Sequence, residues 1–363
     1  MRLVLLLSVM FMLVSCGGSG GAPASVSSTT NSVVGSVSSA TTSREQSSAA
    51  SVSSHSSSSA ASDACPEGRR IVGYFPSWQG SVVDIQYDYL THINYAFVMP
   101  KSNGALEPMM TGDENELMEL VTLAHGHSVK VGIAVGGWND GDDSAFVALA
   151  RSAATRTLFV QEIVALVERY QLDGVDMDWE YPSTATQADN FLLLMQELRL
   201  ALNRLEREQF LSAAVVAQGD WNGQYILNDV FAEVDFLNIM AYDEYGALEH
   251  SSMEYAETSL DYWIARGLPR SKAVLGVPFY ARPSWVAYRE YVASDTANAC
   301  IDRVAENYYN GLPTIRAKAQ LARTNACGVM MWELSQDTVD QTSLLKALWE
   351  VSEGSSPSYI CPN

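Results

Sequence analysis

From residue 70 onward the hydrophobic positions fall into two alternating patterns. Short, uniformly apolar runs occupy residues 70–75, 91–98, 130–135, 173–180, 211–217, 234–241, 273–279 and 328–332. Runs apolar on both faces predict strands of a parallel sheet covered by helices. Between them the apolar residues take helical spacing. In 155–170 they are Leu158, Phe159, Ile163, Leu166, Val167 and Tyr170, and in 186–207 they are Phe191, Leu194, Met195, Leu198 and Leu202. Residues 114–125, 255–266, 313–323 and 341–349 read as further helices. Eight strand and helix units in one α/β chain predict a closed (β/α)8 TIM barrel. A dinucleotide-binding sheet would place a Gly-rich turn after its first strand, and Tyr74-Phe75-Pro76-Ser77-Trp78 offers none.

The fourth run breaks the apolar rule. Asp173-Gly174-Val175-Asp176-Met177-Asp178-Trp179-Glu180 carries four carboxylates, which are costly to bury unless paired or hydrogen-bonded. Side chains of a strand alternate faces, so Asp176, Asp178 and Glu180 share one face while Val175, Met177 and Trp179 share the other. Stacked like charges push pKa values apart and leave one group protonated. A calcium loop would need its ligands around a turn, not along a straight strand. In a barrel, catalytic groups gather at the C-terminal ends of the strands. Glu180, Tyr242, Asp243 and Trp332 all fall there.

Ahead of residue 70 the pattern changes twice. Arg2 precedes an apolar run over 3–14 that is too short to span a bilayer and has the length of a signal segment. It ends Leu13-Val14-Ser15-Cys16-Gly17, which resembles the bacterial lipobox; a plain secretory signal is the other reading. The resemblance implies acylation of Cys16, cleavage after residue 15, and anchoring at a bacterial outer membrane or cell surface, each buried methylene adding about 0.8 kcal/mol. Residues 17–63 are Ser, Ala, Thr, Val and Gly with almost no charge, and cannot repay the entropy of ordering. They read as a flexible tether. The catalytic domain is expected over 65–363.

The formal charge of −20 sits almost wholly in that domain and argues against nucleic acid as a partner. None of the five histidines has metal-ligand spacing; neither metal nor cofactor is expected, and a monomer is. Export makes disulfides plausible for Cys65, Cys300, Cys327 and Cys361. Three connectivities are open; Cys65–Cys361, flanking the domain, with Cys300–Cys327 is the expected one.

The Asp-x-x-Asp-x-Asp-x-Glu run resembles that of the glycoside hydrolase family 18 catalytic domain, the group of chitinases and endo-β-N-acetylglucosaminidases. Supporting pieces are Gly73-Tyr74-Phe75, Asn94-Tyr95-Ala96-Phe97, Gly136-Gly137-Trp138, Met240-Ala241-Tyr242-Asp243, Gly276-Val277-Pro278-Phe279-Tyr280 and Met331-Trp332. The family's usual Ser is Ala134 here, a departure expected to cost one hydrogen bond near the acids. The resemblance implies retaining hydrolysis without an enzyme nucleophile. Glu180 would be the general acid. Asp178 would orient the substrate's 2-acetamido group, Asp176 would share a proton with Asp178, and Asp173 would be structural. Tyr242 would donate to the acetamido oxygen, Asp243 would bond the sugar or border Glu180, and Trp332 would floor the site. Trp78, Trp138, Tyr181, Trp221, Tyr280 and Trp285 are candidate sugar-stacking rings, with Tyr74 and Met240 as further lining residues.

Many chitinases carry an α/β insertion between strands seven and eight, whereas this chain has only residues 281–326 there. An open cleft is expected. The substrate is expected to be chitin or chitooligosaccharides, with the chitobiose core of N-glycans as the alternative and a non-catalytic glycan-binding barrel as the third reading.

Overall fold

The computed structural model describes residue 65 and residues 68–362, apart from 111, 220 and 221. Cys16, the signal and tether segments and Trp221 lie outside the described residues. Eight parallel strands close into a barrel: β1 (Arg70–Pro76), β2 (His92–Val98), β3 (Lys130–Gly136), β4 (Gly174–Asp178), β5 (Phe210–Val216), β6 (Phe236–Met240), β7 (Ala273–Pro278) and β10 (Gly328–Trp332). Each starts and ends within two residues of its run; β4 stops at Asp178 and leaves Trp179 and Glu180 in the loop beyond. Strand β1 pairs with both β2 and β10, so the sheet has no edge.

Two separate cores explain why the strands are apolar on both faces. Outward residues such as Val175, Met177 and Trp179 pack under the helices. Inward residues Val72, Tyr74, Ala96, Ala134, Phe210, Phe236, Met240, Val274 and Met330 fill the barrel. The helices that cover it include α1 (Asp113–Gly126), α2 (Ser144–Ala150), α3 (Ala153–Tyr170), α4 (Ala185–Leu202), α5 (Val230–Glu233) and α6 (Met253–Ala265). Side-chain caps start α3, α4 and α6: Ser152 accepts from Thr155, Thr184 from Gln187, and Ser252 from Tyr255. Among the described residues no helix is long and apolar enough to cross a membrane.

Between β7 and β10 lie only α7 (Tyr288–Ser294), a short 3-10 segment, the two-residue hairpin strands β8 (Arg303–Val304) and β9 (Asn307–Tyr308), and α8 (Leu312–Asn325). The α/β insertion is absent from this connection, as its length implied. Helix α9 (Leu344–Glu353) completes the ring.

The disulfides are Cys65–Cys327 and Cys300–Cys361, which overturns the expected pairing of Cys65 with Cys361 and Cys300 with Cys327. Barrel closure is the reason. Arg70 stands in register with Gly328, so the residues just before β1 and β10 meet at the foot of the barrel although 262 positions apart. The tail after α9 runs instead along α8, where Arg316 donates to the Tyr359 carbonyl, and this carries Cys361 to Cys300.

Candidate active site

Asp176 and Asp178 point into the barrel and are fully buried, as alternation along β4 requires. Asp176 receives three donors: the Tyr74 hydroxyl at 2.6 Å, the Ser212 hydroxyl at 2.5 Å and Asn238 Nδ2 at 3.0 Å. Burial raises its pKa and these bonds pull it back. Ala134 stands beside Asp176 in register, yet the neighbouring strands leave this carboxylate well supplied despite the missing Ser hydroxyl.

Asp178 is treated differently. Its Oδ1 is buried and has no partner among the described residues. Burial, then the charges of Glu180 and Asp176, raise its pKa well above the carboxylate range. Asp176 has three donors while Asp178 Oδ1 has none among the described residues, so burial weighs more heavily on the Asp178 charge.

Gly136 and Gly137 shape the backbone here. Gly137 N–H donates to the Asp178 carbonyl at 2.9 Å. Gly136 has φ +112°, and a Cβ there would lie 2.3 Å from the same carbonyl oxygen. Only glycine allows that approach.

Glu180 follows the strand end and is half-buried at the rim. Burial lifts its pKa to about 7; a hydrogen bond from Tyr181 lowers it and the charge of Asp243 raises it. A carboxyl poised there exchanges protons at neutral pH. Tyr242, just past β6, meets the weak acceptor Met330 Sδ at 3.9 Å. Burial and the surrounding carboxylates keep its phenol protonated, so it remains a donor. Asp243 follows in a left-handed conformation, φ +59°. Its Oδ1 meets Arg282 Nη1 at 3.0 Å and His250 Nδ1 at 3.1 Å.

Residues 70–337 match the profile of the glycosyl hydrolases family 18. The chain belongs to this family. An endochitinase from Manduca sexta is 31% identical over 250 residues, 59% of this chain and 45% of its own length. Chitinase A1 from Niallia circulans is 28% identical over 298 residues, 59% and 42% of the two chains. The chain thus spans about half the length of these curated relatives or somewhat less. A GH18 chitinase from the chitin utilization locus of Flavobacterium johnsoniae superposes with TM-score 0.68 at 28% identity, over 78% of this chain and 94% of that one. A chitinase from Bacteroides thetaiotaomicron gives TM-score 0.69 at 25% identity, over 81% and 100%.

The aromatic residues of this family 18 barrel divide by position. Trp332 ends β10 and stacks on Phe97, centroids 5.5 Å apart, while tilting against Tyr74 at 5.7 Å. Trp78 is exposed beside it, 6.0 Å from Phe97 and 6.3 Å from Trp332. Trp285 is exposed and stacked on buried Tyr280 at 5.4 Å, with the Arg282 guanidinium 3.8 Å over its ring. Trp138 is exposed in the loop after β3, and Met240 is buried inside the barrel. Asp173 sits at the opposite end of β4, where Oδ2 accepts from Val131 N–H at 2.8 Å and meets His125 Nε2 at 2.7 Å. It ties β4 to β3 and to the end of α1, far from the rim.

Sequence reasoning missed Ser212, Asn238, His250 and Arg282. Ser212 and Asn238 carried a signal, since each is a lone polar residue within an apolar strand. His250 and Arg282 carried none, because loop folding alone brings them to Asp243.

Proposed function

We propose that this chain hydrolyses β-1,4 bonds between N-acetylglucosamine units of chitin or chitooligosaccharides, within the chain of the polymer, with the substrate's acetamido group as nucleophile. The observation that carries this reading is the unpartnered Asp178 Oδ1, a buried acceptor beside the poised Glu180. Leaving such an acceptor unmade costs about 1–3 kcal/mol. An acetamido N–H placed between Asp178 and Tyr242 supplies the missing donor. The Tyr242 hydroxyl then donates to the acetamido oxygen, which is driven toward the anomeric carbon.

Glu180 protonates the glycosidic oxygen as the bond breaks, and the acetamido oxygen closes a positively charged ring. As that charge develops, the Asp178 proton passes to the neighbouring Asp176 carboxylate and leaves Asp178 ionised as it accepts the N–H, which stabilises the transition state more than the ground state. Glu180, now ionised, deprotonates water, and attack on the ring from the original side restores the β configuration. Trp332 floors the sugar, and exposed Trp78, Trp138 and Trp285 stack neighbouring units in an open cleft. The curated relatives described above are chitinases by name, which favours chitin over N-glycans. Acylation of Cys16 and a surface location belong to the same proposal and rest on residues 1–17 alone.

The test is proton NMR of fresh digests of chitooligosaccharides by the wild type and by Glu180→Gln, beside a high-mannose glycoprotein. The expected result is β product from the oligosaccharide and a negligible rate for the variant. Product appearing first as the α anomer would overturn the acetamido mechanism, equal rates in both proteins the enzymatic reading, and glycan release alone the chitin assignment.

A further inference from the structure

The barrel has a second mouth, at the feet of the strands, opposite Glu180. Its floor is an aromatic cluster in which the His92, Phe210 and Phe236 rings lie 5.1–5.6 Å apart. Over that floor opens a cavity of about 720 Å³. Six cationic side chains line it, Arg69, Arg70, Lys130, Arg199, Arg207 and Lys272, against the three carboxylates of Glu208, Glu233 and Asp235. In a chain of formal charge −20 this is a local reversal of sign.

Backbone carbonyls accept from several of these cations. Lys272 Nζ donates to the carbonyls of Phe231 and Val234, Arg207 to those of Gln171 and Leu172, and Arg70 to that of Ser271. Arg199 and Arg207 also have carboxylate partners, Asp235 at 2.5 Å and Asp173 at 3.7 Å. Two titratable groups register the surplus. The pKa of His92 is lowered to about 3, by burial first and then by Lys130 and Arg70. Burial also lowers that of Lys272, with Arg199 and Arg70 acting in the same direction against Asp235 and Glu233.

Among the described residues two wall atoms are buried without a partner, the donor Arg69 Nη1 and the acceptor Gln209 Oε1, the latter on a side chain only 5% exposed. A ligand that satisfies both must bring anionic oxygens and a hydroxyl. Hydrogen phosphate has both, whereas sulfate at neutral pH has no proton to give to Gln209.

We propose that this mouth is a binding site for a phosphate-class oxyanion, held by Arg69 and Lys130 and donating a hydroxyl to Gln209. Arginine and lysine around a concave apolar floor are suited to this, since charge-assisted bonds in a partly desolvated site are the strong ones. Phosphate could come free in solution or from an anionic lipid headgroup such as phosphatidylglycerol, whose glycerol supplies the hydroxyl.

The experiment is titration calorimetry of the full chain with inorganic phosphate and, at matched ionic strength, with inorganic sulfate. Vesicle flotation with phosphatidylglycerol and phosphatidylcholine forms the second arm. Arg69→Gln and Lys130→Gln are each expected to weaken phosphate binding about tenfold, with the thermal midpoint in the absence of phosphate reporting that both variants are folded. Phosphate binding without added affinity for phosphatidylglycerol identifies a soluble ligand. Preference for phosphatidylglycerol over phosphatidylcholine, lost in both variants, identifies a headgroup. Equal response to sulfate overturns the phosphate assignment. Absence of binding in both arms, or binding that survives both substitutions, overturns the site.

Discussion

The Tyr74 hydroxyl donates to Asp176 Oδ2 at 2.6 Å while accepting from Asn238 Nδ2 at 3.1 Å. Strand β1 thereby supports an acid on β4 from across the barrel interior. Burial, with the nearby Asp176 and Asp178 charges, raises the Tyr74 pKa well above the usual tyrosine value, so the phenol keeps its proton. Tyr74→Phe leaves Asp176 one donor short in a dry environment. Stability in urea is expected to fall by about 1–3 kcal/mol. With the Asp176 charge harder to maintain, turnover on chitooligosaccharides is expected to fall while KM changes little. A variant as stable as the wild type would show that Ser212 and Asn238 suffice.

Asp178→Asn separates charge from shape. The amide matches the carboxyl in size, so the buried pocket between Asp176 and Glu180 stays filled and the fold should survive. What is lost is the capacity to become a carboxylate when positive charge develops on the acetamido ring. Turnover is expected to fall by about 10²–10³-fold, with binding of chitooligosaccharides largely retained. Near-normal turnover would remove Asp178 from the mechanism.

The Cys65–Cys327 bridge closes a chain segment spanning 262 positions at the foot of the strands that complete the barrel. Its stabilisation comes mainly from restricting the unfolded chain and grows slowly with loop length. The double variant Cys65→Ser, Cys327→Ser is expected to lose about 2–5 kcal/mol in a denaturant titration, with the active-site rim at the other end of the strands unaffected. A loss of activity in excess of the loss of folded protein would count against that separation.

Which features the amino-acid pattern revealed follows from the range over which each is determined. The barrel strands were legible because both barrel faces are apolar, so each strand stands out as an uninterrupted run. The acid ladder was legible because alternation is a local property of extended backbone. The donors of Asp176 were not, since Tyr74, Ser212 and Asn238 meet it only through the register of β1, β5 and β6. The disulfides failed for a related reason: nearness in sequence favoured Cys300–Cys327, whereas closure sets Cys327 beside Cys65. Helix α7 and the β8–β9 hairpin are too short to show a period of their own.

Asp243 bears on the pH range in which Glu180 can act. After burial, the Asp243 charge is the influence that raises the Glu180 pKa to about 7, while Arg282 and His250 hold the Asp243 carboxylate in place. A general acid works only while protonated, so kcat/KM falls as pH rises through its pKa in the free enzyme. Asp243→Asn keeps the size and removes the charge, which should bring the Glu180 pKa down. The alkaline limb of the profile is then expected at lower pH than in the wild type, with a larger loss of rate at pH 8 than at pH 5. Linkage adds a second readout with its own sign. Because the folded-state pKa lies above the unfolded value of about 4.3, the folded chain holds a proton the unfolded chain has released. Glu180 therefore contributes stability that is fully present below about pH 4.3 and is lost as pH rises through about 7. Glu180→Gln should flatten the thermal midpoint over that window. An alkaline limb that stays in place in Asp243→Asn, or moves upward, would show that the Asp243 charge does not set the Glu180 proton affinity.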